Sequence, residues 1–171
     1  MKTQKPCILL VDDSEDDLLF IVRAFKKNGV AALIQSVESG REAIAYLRGE
    51  GQFGDRGKFP YPTFILTDLK MPNGDGFSVL ENLKQNPSWR IIPAIVLSTS
   101  SDTDDIKKSY AMGAASYFVK PHSFEDLTRL IGKVYGYWQD CEVPEIDESG
   151  KMLKTESEGK LGARFTQEAG Q

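Results

Sequence analysis

Residues 64–76 read FILTDLKMPNGDG: three apolar residues and a threonine, then Asp68, then a run dominated by turn-formers. A short apolar run closed by turn residues is the signature of a buried strand, and here a carboxylate stands at the point where that strand gives out. Four further segments carry the same strand signal: CILLV (7–11), ALIQSV (32–37), AIVLS (94–98) and SYFVK (116–120). Helical periodicity fills the intervals. In 17–28 the residues Leu18, Leu19, Ile21, Val22 and Phe25 fall on one face, with Ser14 as cap, acids in the first turn, lysines in the last and Gly29 as stop. Residues 41–48, 77–85, 102–112 and 124–138 are the other helices, and Pro87 and Pro93 separate the third helix from the fourth strand.

Five near-continuous apolar strands alternating with five helices predict a parallel sheet covered on both faces, a doubly wound α/β domain. In such sheets the working crevice lies beyond the carboxyl ends of the strands. Two segments stand outside the repeat. Residues 49–62, GEGQFGDRGKFPYP, are expected as a long surface loop. Residues 141–171 form a polar tail rich in acids, expected to be disordered or loosely docked.

Composition narrows the function. The chain has 171 residues, 40% hydrophobic and 27% charged, with net charge -4. It contains no basic run to contact nucleic acid, no apolar run long enough for a membrane and no signal-peptide pattern, so a cytoplasmic protein is expected. Cys7 and Cys141 lie far apart, without metal-ligand spacing, which suits a reducing compartment.

At the strand ends stand Asp12 and Asp13, Asp68, Ser98 and Lys120. Each has a plain structural reading alone: helix starts, a turn serine, a solvated base. Together they place three carboxylates, a hydroxyl and an amine on one edge. Clustered carboxylates repel, and a hard dication with oxygen ligands relieves them; with no histidine or thiol nearby, Mg2+ is the natural candidate. A carboxylate beside such an ion can attack a phosphoryl group in line, with Lys120 and Ser98 facing the equatorial oxygens. Asp68 is the candidate nucleophile, and Asp12 and Asp13 the metal anchors.

LLVDD (9–13), LTDLKMPNGDGF (66–77), IPAIVLS (92–98) and GAASYFVKP (113–121) resemble, in order, in place on the strand ends and, from Asp68 onward, in spacing, the signature blocks of the CheY-like receiver domain of two-component response regulators. The resemblance covers about residues 5–140. It implies the flavodoxin-like (βα)5 fold with strand order 2-1-3-4-5 and a phosphoacceptor at Asp68. It also implies Mg2+ held by Asp12 (mainly through water), Asp13, Asp68 and the Lys70 backbone carbonyl. Ser98 would be the switch hydroxyl, Lys120 the phosphate-binding amine, Tyr117 the switch aromatic and Lys120–Pro121 a cis peptide. The long 49–62 loop and VYGYW (134–138) are similar to stand-alone receivers that pair with phytochrome-type histidine kinases. The implied function is a single-domain response regulator that takes phosphate from a histidine kinase and signals by protein contact, with self-catalysed transfer and slow autodephosphorylation as its only chemistry. A helix-five stripe of Leu130, Ile131, Val134, Tyr135 and Trp138 reads as core, yet is wide enough to allow a homodimer. His122 carries no relay signature. Two alternatives remain: a pseudo-receiver scaffold, and a haloacid-dehalogenase-type phosphatase. The second expects an acid two residues beyond the nucleophile, where Lys70 stands.

Overall fold

The structure is a computed structural model that describes residues 5–72, 75–144 and 146–151. Strands β1 (Cys7–Val11), β2 (Leu33–Val37), β3 (Phe64–Thr67), β4 (Ala94–Ser98) and β5 (Ser116–Val119) alternate with helices α1 (Glu15–Lys27), α2 (Gly40–Arg48), α3 (Gly76–Gln85), α4 (Thr103–Ala111) and α5 (Phe124–Asp140). The strands pair in parallel in the order β2-β1-β3-β4-β5, the order expected.

Every helix starts on a side-chain cap: Ser14, Ser39, Asp75, Asp102 and Ser123 each accept a backbone N–H from the first turn. Each cap takes up one of the four N–H groups that a helix start leaves unpaired. All five lie on the edge where the strands end, so caps and strand-end residues share one rim.

The period-2 alternation of the strands divides the core into two layers. Leu9, Val11, Ile65 and Val96 point toward α2 and α3, meeting Tyr46, Leu47, Val79 and Leu80. Ile8, Leu10, Leu66, Ile95 and Leu97 point the other way, toward Ile21 and Phe25 of α1 and Ile131 and Val134 of α5. Phe25 is fully buried, and truncating such a residue to alanine costs about 3–5 kcal/mol. The helix-five stripe belongs to this layer, and Trp138 stacks on Phe64 at 5.9 Å.

Three details differ from expectation. Only β1, β3 and β4 are buried throughout; β2 and β5 occupy the outer places and stay partly exposed. Leu19, assigned to the apolar face of α1, is exposed with its neighbour Phe20, because the helix centres its buried stripe on Leu18, Ile21, Ala24 and Phe25. The 49–62 segment carries a 3-10 turn at Gly51–Gly54, and Phe53 is buried against Tyr46 and Phe59. Arg56 donates to the carbonyls of Tyr46, Leu47 and Phe59 and lies 4.2 Å from the Tyr61 ring, so a cation closes the carboxyl end of α2. The tail returns to this cap: Ile146 packs on the α2–α3 layer, and a Cβ on Gly150 (φ 80°) would fall 2.9 Å from the Tyr61 hydroxyl. Residues 152–171 lie outside the described residues.

Candidate functional site

Backbone pairing runs one residue past β1, β3 and β5 and thereby sets the rim. The Asp12 N–H donates to Val37 O, Asp68 N–H to Val11 O at 2.8 Å, and Lys120 N–H to Ser98 O at 2.8 Å. Asp12, Asp68 and Ser98 are buried, Asp13 is exposed, and Lys120 reaches over the group from the edge strand. The Lys120–Pro121 peptide is trans, as is every peptide among the described residues, contrary to the cis form implied by resemblance. Trans is the lower-energy isomer for an X–Pro bond, and Lys120 reaches its partners from it.

The Lys120 ammonium donates to Asp12 Oδ2 at 2.6 Å, Asp17 Oδ2 at 2.7 Å and Asp68 Oδ2 at 3.2 Å. These use all three of its donors. Asp12 Oδ1 takes the Ser14 N–H at 3.0 Å, and Asp68 Oδ1 the Leu69 N–H at 2.6 Å. One ammonium divided among three carboxylates is oversupplied, while each acid is underserved. Burial pushes the Asp12 carboxyl above its ordinary range, and its bonds from Lys120 and Ser14 recover only part of that. Burial works against the Lys120 charge too, but the bonds to Asp12 and Asp17 outweigh it and hold the ammonium above the ordinary lysine value.

Oxygen atoms of Asp12, Asp13 and Asp68 all lie within 4.8 Å of one another. A set of three carboxylates without sulfur or imidazole fits a hard divalent cation. Ser98 Oγ accepts the Ser100 N–H at 3.3 Å. The Tyr117 hydroxyl donates to Ser100 O at 2.8 Å, and its ring packs on the α2–α3 layer. The Lys70 side chain turns away to Asp105 Oδ2 on α4, at 3.0 Å, and the same oxygen accepts from Ser100 Oγ at 2.7 Å. The Ser100 hydroxyl and the Lys70 ammonium hold Asp105 below the usual carboxylate range, and Asp105 in turn raises Lys70. His122 stands apart, exposed on the lip of a cleft of about 240 Å³ that Asp17, Phe20, Lys120, Phe124 and Leu127 also line.

Two residues of the site escaped the sequence reading. Asp17 counted only as one of three acids suited to a helix start. Gly76 sits so close beneath Asp68 that a Cβ there would fall 1.9 Å from the Asp68 carbonyl oxygen. A glycine opening a helix behind an acidic cap is the one trace of this in the sequence.

Among the described residues no helix is long and apolar enough to cross a membrane. Residues 8–132 match the response regulator receiver domain family. The probable methanogenesis regulatory protein FilR2 of Methanothrix harundinacea is 37% identical over 77% of this chain and 82% of its own length. The structure of the phosphorylated cyanobacterial phytochrome response regulator RcpA superposes with a TM-score of 0.77 at 33% identity, over 83% of this chain and all of that one. The Mn(2+)-bound form of response regulator Rcp1 gives a TM-score of 0.74 at 31% identity, over 83% of this chain and all of that one; the Rcp1 of Synechocystis is 33% identical over 77% of this chain and 87% of its own length. With its strand order, its acidic rim and a match across most of its length, the chain belongs to the response regulator receiver domain family.

Proposed function

We propose that Asp68 is the phosphoacceptor of a stand-alone response regulator. The observation that carries this reading is the convergence of Asp12, Asp13, Asp68 and Lys120 on one rim in a chain of the receiver family. Asp12, Asp13, Asp68 and the Lys70 carbonyl would hold Mg2+, which when bound supplies positive charge to phosphoryl oxygens. The chain's own residues do the rest. Asp68 presents its carboxylate in line to phosphorus. Lys120 exchanges its longest contact, that to Asp68 Oδ2, for a phosphoryl oxygen. Ser98 donates its hydroxyl to another once the group has transferred, and Tyr117 exchanges its bond to Ser100 O for a place closer to Ser98. The phosphoryl adds roughly -1.5 to -2 charges and three acceptor oxygens, enough to favour one of two arrangements of the α4–β5–α5 side.

The donor is a histidine kinase of the phytochrome type, a reading supported by the likeness to the cyanobacterial phytochrome response regulator RcpA. Exposed Phe20 and Phe124 line the cleft beside Lys120 and give that kinase an apolar seat. Output is by contact with a downstream protein in the cytoplasm, and Tyr110, Val119 and Tyr137 on the α4–β5–α5 side are exposed for that contact or for pairing of two copies. Turnover as a phosphatase is disfavoured, because the residue two beyond Asp68 is a base already committed to Asp105.

Incubation with Mg2+ and acetyl phosphate tests the reading. The protein should gain one acid-stable, base-labile phosphoryl group, absent in Asp68→Asn. Catalytic release of phosphate without a lasting adduct would indicate a phosphatase, and no gain at all a scaffold; either overturns the proposal.

A further inference from the structure

Of the three carboxylates around the Lys120 ammonium, two have other duties under the reading above, on which this inference rests. Asp68 becomes esterified, and Asp12 lies in the triad that suits a dication. Carboxylate oxygens that ligate a dication have less to offer a neighbouring ammonium, and the two cations repel. Asp17 has neither duty. It stands in the first turn of α1 with Glu15 and Asp16, and of these three acids it alone pairs with Lys120, at 2.7 Å. Its side chain is 40% exposed against 11% for Lys120, so it grips the ammonium from the solvent side, at the wall of the cleft. Its own N–H is fixed on the Ser14 cap, which gives it a rigid footing.

We propose that Asp17 is a positioning residue: it keeps the Lys120 ammonium over Asp68 when the contacts to Asp12 and Asp68 weaken on cation binding and phosphoryl transfer. In the step it supports, an Asp68 oxygen forms a bond to phosphorus, the bond from phosphorus to the acetyl oxygen breaks, and acetate leaves with the electron pair. No proton moves. Lys120 must face the equatorial oxygens at that moment. Without Asp17 the long lysine stem is free to swing into the cleft.

Two measurements decide this, on Asp17→Asn, which keeps the size of the side chain, and Asp17→Glu, which keeps the charge. The first reads the Lys120 ammonium 1H–15N resonance, assigned by its loss in Lys120→Gln, as Mg2+ alone is added. Wild type should retain the signal and Asp17→Asn should lose it on cation addition, with Asp17→Glu in between. The second reads phosphorylation by acetyl phosphate: Asp17→Asn should slow it on the order of tenfold, Asp17→Glu should recover part, and Asp17→Asn should add nothing in the Lys120→Gln background. A signal that persists in Asp17→Asn with Mg2+, an unchanged or faster phosphorylation rate, or slowing additive with Lys120→Gln overturns the assignment. If wild type takes no phosphoryl at all, the proposed function falls, while the resonance measurement still judges Asp17.

Discussion

At the position of Gly76 the absence of one carbon atom holds the site together. Its N–H donates to Leu69 O, and the helix it opens starts so close beneath the loop after Asp68 that a methyl group would overlap the Asp68 backbone. Backbone cannot swing aside as a side chain does. Gly76→Ala should therefore cost about 1–3 kcal/mol or more in chemical denaturation and lower phosphoryl acceptance at the same time. Intact stability with full acceptance would show that the loop relaxes freely. Cys7 illustrates a different isolated effect. Burial pushes its thiol from 9.0 to about 11, against a weak contact with the Tyr46 hydroxyl. The native state thus keeps a proton that the unfolded chain releases. The contribution is fully present below pH 9.0 and drains away as pH rises to about 11, by up to roughly 2–3 kcal/mol. Urea unfolding across that range should show a steeper fall for wild type than for Cys7→Ala; parallel curves would refute it. Neither effect is legible in sequence, since a glycine among turn-formers and a cysteine in a strand look ordinary until their neighbours are known.

Among the helices, α4 is attached differently from the rest. Its buried face is reduced to Ser109, where α1, α3 and α5 bury large apolar side chains. Polar contacts hold it instead: Lys70 and Ser100 on Asp105 at one end, Lys84 Nζ on Ala111 O at 2.9 Å at the other, and Lys108 over the Phe77 ring between them. An element pinned by exposed charges opens at a smaller cost than one pinned by apolar burial. Amide exchange should accordingly be fastest in α4 among the five helices. Asp105→Ala or high salt should speed it further and leave α1 and α5 at their own rates; equal protection throughout would contradict the argument. The strands and helices themselves were readable because period and caps act locally. The strand-end constellation was readable because a parallel sheet gathers all carboxyl ends on one edge. The ordered cap over 49–62 was not, since glycine and proline announce a turn while its order comes from Phe53 and Arg56 finding partners on α2. The trans Lys120–Pro121 bond was likewise beyond reach, because either isomer satisfies the local sequence.

For the molecule as a whole, the acidic rim sets function against stability. Four carboxylates, Asp12, Asp13, Asp17 and Asp68, crowd a rim where one ammonium, that of Lys120, pairs with three of them, Asp12, Asp17 and Asp68, in a chain of net charge -4. The fold tolerates this by burying Asp12 and Asp68 in backbone and lysine hydrogen bonds while leaving Asp13 in solvent. A cation that binds only the native arrangement adds stability by mass action, about 2.7 kcal/mol at a hundred times its dissociation constant. For a domain of this size that corresponds to a rise in Tm of about 5–10 °C. Asp13 is the residue on which to test it, because its exposure means that Asp13→Asn removes one carboxylate of the triad without opening a cavity. The metal-free Tm of that variant should match or exceed wild type, since one repelling charge is gone, while its response to Mg2+ should shrink severalfold. Sodium chloride at matched ionic strength should reproduce only the part of the wild-type shift that comes from screening the surface. An equal Mg2+ response in Asp13→Asn, or a full response to sodium, would mean that the cation acts on the net charge at large and that the triad of carboxylates is no binding site.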